Sequence, residues 1–133
     1  MNIDNLTGII IGCAMDVHKT LGPGYLESVY ENALSFELSA HGVQFQRQVP
    51  ISVIYKNHAV GNFVADLVIE NCLIIELKAT QNLHDHHGIQ LVNYLTATGI
   101  DNGLLFNFGA ASLQIRRKHR IYTPSSHPNS QSC

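Results

Sequence analysis

Asp66, Glu76 and Lys78 are the residues whose types and spacing could do chemistry. They lie in the stretch from Phe63 to Ala79. Read with period two, Phe63, Ala65, Leu67 and Ile69 face one way, and Val64, Asp66, Val68 and Glu70 the other. The next run sets Leu73, Ile75, Leu77 and Ala79 against Cys72, Ile74, Glu76 and Lys78. This reads as a hairpin turning at Glu70-Asn71. With the turn centred on Asn71, Ala65 opposes Leu77, Leu67 opposes Ile75, and Asp66 opposes Glu76 with Lys78 one step along. Opposed residues in a sheet have Cβ atoms about 5 Å apart. Carboxylates that close repel each other, and burial adds to the cost. A divalent cation such as Mg²⁺, which takes oxygen ligands, offsets both. The hairpin alone also admits an ordinary solvated strand face. Its surroundings favour work for these charges. Leu73–Leu77 is apolar on both faces, like a central, doubly covered strand. Charges at the end of such a strand need partners or a task.

The other elements must position this hairpin. Ile9, Ile10, Cys13, Ala14, Val17 and Leu21 follow helical spacing, so a helix runs from Thr7 to about Thr20, capped by Thr7 or Asp4. Leu21-Gly22-Pro23-Gly24 turns the chain. A second helix spans Leu26 to Ala40, with Leu26, Val29, Tyr30, Ala33, Leu34 and Leu38 inward and Gly42 beyond its end. Strands follow at Val43–Tyr55, with Pro50 marking an edge or bulge, at Ala59–Ile69 and at Cys72–Ala79. Leu83–Thr98 is a third helix with Leu91, Val92 and Leu95 inward. Gly103–Phe108 and Ser112–Lys118 are the last strands. The third helix crosses between the Glu76 strand and the Gly103 strand, which should therefore be parallel. The fold class is α/β: a mixed β-sheet flanked by helices on both faces, in the order α-α-β-β-β-α-β-β.

Residues 1–122 read as a single domain, and 123–133, rich in Ser, Pro, Asn and Gln, as a disordered C-terminal tail. The chain is 45% hydrophobic and 14% charged, which suits a globular domain. No apolar run reaches membrane-spanning length, and Met1-Asn2-Ile3-Asp4 lacks the basic start of a secretory signal. Cys13, Cys72 and Cys133 form no zinc spacing and suggest reduced thiols in a cytoplasm. His84, His86 and His87 lack the spacing of a helical zinc pair. Glu31 reads as a solvated acid favoured by the helix dipole. Net charge is −2, yet Arg116, Arg117, Lys118 and Arg120 hold half of the eight Lys and Arg residues. The remaining body is acidic, so tight non-specific binding to many phosphates is not expected of it.

Val17-His18, then Leu21-Gly22-Pro23-Gly24-Tyr25-Leu26-Glu27-Ser28-Val29-Tyr30, resembles the signature of the GxxExxY protein family at Gly24, Glu27 and Tyr30. The resemblance continues through Ala65-Asp66-Leu67, Ile75-Glu76-Leu77-Lys78-Ala79, Gln90 to Leu95, and Leu105 to Gly109, covering roughly residues 5 to 120. That family is placed in the PD-(D/E)XK nuclease-like superfamily. The resemblance implies that Asp66, Glu76, Lys78, Gln90 and Glu27 are catalytic residues. Asp66 would match the acid of the second core strand, Glu76 and Lys78 the E-x-K pair of the third, and Gln90 the polar residue of the following helix. Glu27 would match an acid on the helix before the sheet. Two departures stand out: Ala65 replaces the superfamily's proline, and Val64 stands where relatives often carry a basic residue.

In this reading Asp66, Glu76 and the Leu77 carbonyl hold Mg²⁺ or Mn²⁺, Lys78 orients water or stabilises phosphate charge, and a phosphodiester, in DNA more than in RNA, is hydrolysed. Without metal, Lys78 would be held by Asp66 and Glu76. Arg116, Arg117, Lys118 and Arg120 would bind nucleic acid, though a solvated strand end suits them as well. Tyr30 and His18 read as residues that pack or that support the site residues from behind. A homodimer or other partner would supply the DNA groove. The competing function is a non-catalytic nucleic-acid- or protein-binding module on the same fold.

Overall fold

The computed structural model describes residues 2–121; the expected tail at 123–133 lies outside them. Helix α1 (Ile3–Leu21) is longer than its apolar spacing suggests, because Asn2, and neither Thr7 nor Asp4, caps it by accepting the Asn5 N–H. Helix α2 (Glu27–Ala40) follows. Strands β1 (Phe45–Tyr55), β2 (His58–Ile69) and β3 (Leu73–Lys78) form an antiparallel meander. Helix α3 (Asp85–Thr98) crosses to β4 (Asn102–Asn107), which pairs parallel to β3, and β5 (Gln114–His119) closes the sheet antiparallel to β4. Sheet order is chain order, β1-β2-β3-β4-β5. Both hairpin turns, Lys56-Asn57 and Glu70-Asn71, have two residues at positive φ, the geometry whose twist matches the strands.

Two cores sandwich the sheet, as the α/β expectation requires. On one face Leu6, Ile10, Tyr30, Leu34 and Leu38 of α1 and α2 pack on β3 and β4. On the other, Leu91, Tyr94 and Leu95 of α3 pack on Ile51, Ala65, Ile74 and Leu105. Leu26, expected inward, is 76% exposed, because α2 starts one residue later. Cys13 is a buried free thiol, whereas Cys72 is not free, so the expectation of three reduced thiols fails there.

Simple alternation fails in β2. Phe63 packs against Tyr94 with the rings tilted and Ala65 packs under α3, but Leu67 and Ile69 lie on the α1–α2 face. The strand changes face at Asp66, and β1 does so beside it: Phe45 packs on the α1–α2 side, Val49 and Ile51 on the α3 side. Ala65 and Leu77 consequently do not share an apolar face, contrary to the period-two reading.

Candidate active site

The β2–β3 ladder runs Ile69 with Leu73, Val68 with Ile74 and Leu67 with Ile75, and there it stops. One residue on, side chains replace backbone rungs. Glu76 Oε2 accepts the Asp66 N–H at 2.9 Å, and Asp66 Oδ2 accepts the Leu77 N–H at 2.8 Å. The strands part, and two carboxylates fill the opening, each tied to the other strand's backbone. Asp66 and Glu76 are thus brought together as the hairpin register requires.

Glu76 is 7% exposed. Burial first, then the Asp66 charge, pushes its carboxyl up to about 9, while the Asp66 N–H and Lys78 act in the opposite sense. Without metal the pair therefore keeps a proton at neutral pH. Asp66 and Glu76 offer the hard oxygens that suit a divalent cation, and the Leu77 carbonyl is adjacent in the chain. Among the described residues no group of three His, Cys, Asp or Glu side chains gathers into a ready-made metal cage.

Lys78 is half-buried at the end of β3, close enough for its charge to act on Glu76, Glu27 and His87. It makes no ion pair among the described residues, so the expectation that Asp66 and Glu76 clasp it does not hold. The carboxylates are satisfied by backbone N–H groups instead. Its strand end is fixed from the next strand over. The Phe108 N–H donates to the Lys78 carbonyl at 2.8 Å. Buried Asn107 accepts the Thr80 and Gly109 N–H groups and donates to the Thr80 carbonyl and Gln114 Oε1. Gly109 lies so close that a Cβ there would fall 2.3 Å from the Thr80 carbonyl oxygen.

Glu27 opens α2 at the rim of the site, exposed. Its carboxyl is raised by partial burial first, with Lys78 pulling it down and Asp66 and Glu31 pushing it up, so it shares their field. The loop that delivers it is pinned by Tyr30. This buried ring stacks on Phe108 at 4.7 Å, its hydroxyl donates to the Gly22 carbonyl at 2.5 Å, and it accepts the Tyr25 N–H. His18 meets the Ala110 carbonyl and packs beside Phe108. Both are packing residues, as read from the sequence.

Gln90 lines a largely apolar groove of about 850 Å³ between α3 and the β1–β2 hairpin, with Phe63, Ile89 and Tyr94. No hydrogen bond joins it to the carboxylates among the described residues. Tyr94, one turn later, is nearer in effect: burial, then Glu76 and Asp66, raise its phenol. Residue spacing had passed over Tyr94, although i, i+4 from Gln90 pointed to it. Gln48 was missed altogether, and the reading of Glu31 as a solvated acid does not hold. Glu31 is buried rather than solvated, because Arg47 pairs with it at 2.9 Å and the Gln48 amide donates to it at 2.6 Å.

The four basic residues do not form one patch. Alternation along β5 puts Arg117 with Ile115 toward α1, where it lines a crevice with Asp4, and Arg116 and Lys118 toward α3. Lys118 lays its stem over Gly88, and Arg120 pairs with Asp101 at 2.9 Å.

The family model described as the PD-(D/E)XK nuclease superfamily matches residues 4–118. The chain belongs to that superfamily. No curated protein matches it. A solved structure described as the crystal structure of SSO0001 is similar at a TM-score of 0.58 and 16% identity, covering 72% of this chain and 50% of that one. The superfamily chain thus spans about half the length of that protein. The likeness bears on the fold, and the mixed five-stranded sheet with three helices agrees with it.

Proposed function

We propose that this superfamily member is a divalent-metal-dependent nuclease that hydrolyses phosphodiester bonds, in DNA before RNA. The reading is carried by one observation: the β2–β3 ladder is given up where Asp66 and Glu76 converge. A fold gains nothing from setting the buried Glu76 carboxyl beside the half-buried carboxylate of Asp66, whereas a hard cation needs such a pair. Asp66, Glu76 and the Leu77 carbonyl would hold Mg²⁺ or Mn²⁺, and Glu27 would join directly or through water. When bound, the metal supplies Lewis acidity and a water of lowered pKa. Lys78, unengaged by the carboxylates, turns toward the phosphate and offsets its developing charge. Tyr94 and Gln90 bound the site on the α3 side and orient water or phosphate.

Within the superfamily, the Gly24-Glu27-Tyr30 unit supports placing the chain in the GxxExxY family, since Tyr30 anchors the loop from which Glu27 projects. The body is acidic outside β5, which supports a homodimer or other partner that completes the nucleic-acid groove. No helix among the described residues is long and apolar enough to cross a membrane.

The test is calorimetric titration of Mn²⁺ into wild type and Asp66→Ala, together with cleavage of plasmid and oligonucleotide substrates. Binding that vanishes in Asp66→Ala, with cleavage lost alongside, is the expected result. A wild type that binds nucleic acid but neither binds Mn²⁺ nor cleaves is a binding module, and the nuclease reading is then wrong.

A further inference from the structure

Among the described residues five non-glycine positions have positive φ. Four of them, Lys56, Asn57, Glu70 and Asn71, form the two hairpin turns, where that geometry is required. The fifth, Gln48 at φ 51°, lies inside β1, where nothing local calls for it. A non-glycine residue in the left-handed region costs on the order of 1 kcal/mol and persists only where its surroundings impose it.

Its position explains what it achieves. Backbone pairing of β1 with β2 runs through Arg47 with Leu67 and resumes at Val49 with Ala65, so Gln48 sits across from Asp66. Both strands change face at this rung. The Gln48 side chain then bridges two acids, its amide donating to Glu31 Oε1 at 2.6 Å and, more loosely, to Asp66 Oδ1 at 3.4 Å. The other Asp66 oxygen takes the Leu77 N–H. Glu31 is itself fixed by Arg47 through Nε at 3.0 Å and Nη2 at 2.9 Å. The chain of contacts runs from Arg47 to Glu31, Gln48, Asp66 and the β3 backbone.

We infer that Gln48 is a positioning residue: its left-handed backbone turns β2 over at Asp66, and its amide, anchored on Glu31, aims the Asp66 carboxylate across to β3. The role in metal binding rests on the proposed function; the aiming of Asp66 does not. A neutral donor between two acids holds them near each other without adding a cation that competes with metal. Lysine or arginine at this position would compete.

Two variants separate backbone from amide. Gln48→Met keeps length and backbone strain but cannot donate. Gln48→Gly relieves the strain and also lacks the amide. In metal-free protein, amide hydrogen exchange at Leu77, whose N–H donates to Asp66, should quicken roughly tenfold in both variants. Mn²⁺ affinity should fall about tenfold in both, as for other residues that orient a metal ligand. Gln48→Met, which leaves one oxygen of buried Glu31 without its donor and keeps the strained backbone, should melt a few degrees below wild type, and Gln48→Gly, relieved of the strain, should melt above Gln48→Met. Unchanged Leu77 exchange in Gln48→Met overturns the inference. A wild type that binds no Mn²⁺ sinks the proposed function instead, and Leu77 exchange still decides the role of Gln48.

Discussion

The parting of β2 from β3 and the outer strand β5 handle charge in opposite ways. At the first, two acids are brought together and tied to backbone N–H groups, Glu76 buried and Asp66 half-buried, and burial and the Asp66 charge push the Glu76 carboxyl up to about 9. At the second, Arg116, Arg117 and Lys118 fan out to different faces, Lys118 over Gly88, and Arg120 just beyond the strand pairs with Asp101. Burial with convergence marks a place where charge is kept for use. Dispersed, solvent-facing charges contribute little to stability. Clustering in sequence therefore overstates the basic strand, and separation in sequence hides how close the acids come.

The sharpest break of this contrast is Glu76→Ala. Metal binding and cleavage should disappear together in calorimetry and plasmid nicking, while the protein stays folded, since a costly buried acid is gone. Next is Lys78→Ala, which should leave Mn²⁺ affinity at or above wild type and cut kcat by roughly 10²–10³-fold, as loss of one stabilising donor does. Cleavage at the wild-type rate would reduce Lys78 to charge balance. Gly109→Ala should destabilise by about 3 kcal/mol in urea unfolding, because the new Cβ meets Thr80 backbone and forces the end of β3 to move.

A gentler test uses pH. Burial, then the Asp66 charge, push the native Glu76 carboxyl up to about 9, from an ordinary value of 4.5. Between those limits the native state holds a proton that the unfolded chain has lost, so metal-free stability falls as pH rises through that window. The expected loss is on the order of 1–3 kcal/mol between pH 5 and pH 9, with Mn²⁺ affinity rising over the same range. Glu76→Gln should flatten the stability profile. The smallest effect is expected from β5. Replacing Arg116, Arg117 and Lys118 should lower the salt slope of DNA binding by less than one unit per residue, and Arg120→Ala should change stability alone.

Much of the fold was legible because it follows strong local signals. The hairpin register centred on Asn71, the helices flanking both faces and the parallel β3–β4 pair came from period, turn residues and the crossover rule. The juxtaposition of Asp66 and Glu76 follows from that register. What stayed hidden is non-local or conformational. Period two assumes uniform φ, so the change of face at Gln48 and Asp66 could not be read from residue types. Glu31 looked solvated because its partners Arg47 and Gln48 belong to another element. Lys78 looked clasped because sequence shows nearby opposite charges but not the backbone donors that satisfy the acids first.

Chain order and sheet order coincide, and this bears on how the molecule survives its own synthesis. As the chain emerges, each new strand extends the border of the sheet already laid down, and that border, with its unpaired N–H and C=O groups, is open to neighbouring nascent chains. Among the described residues the last strand, β5, lies at the border of the sheet, and it carries Arg116, Arg117 and Lys118 in succession. Like charges repel a second copy approaching edge to edge. At the opposite border, β1 is interrupted by Gln48 and by Pro50, which offers no N–H. A sequence stripped of the β5 charges should therefore fold to the same sheet yet aggregate more readily while it is being made.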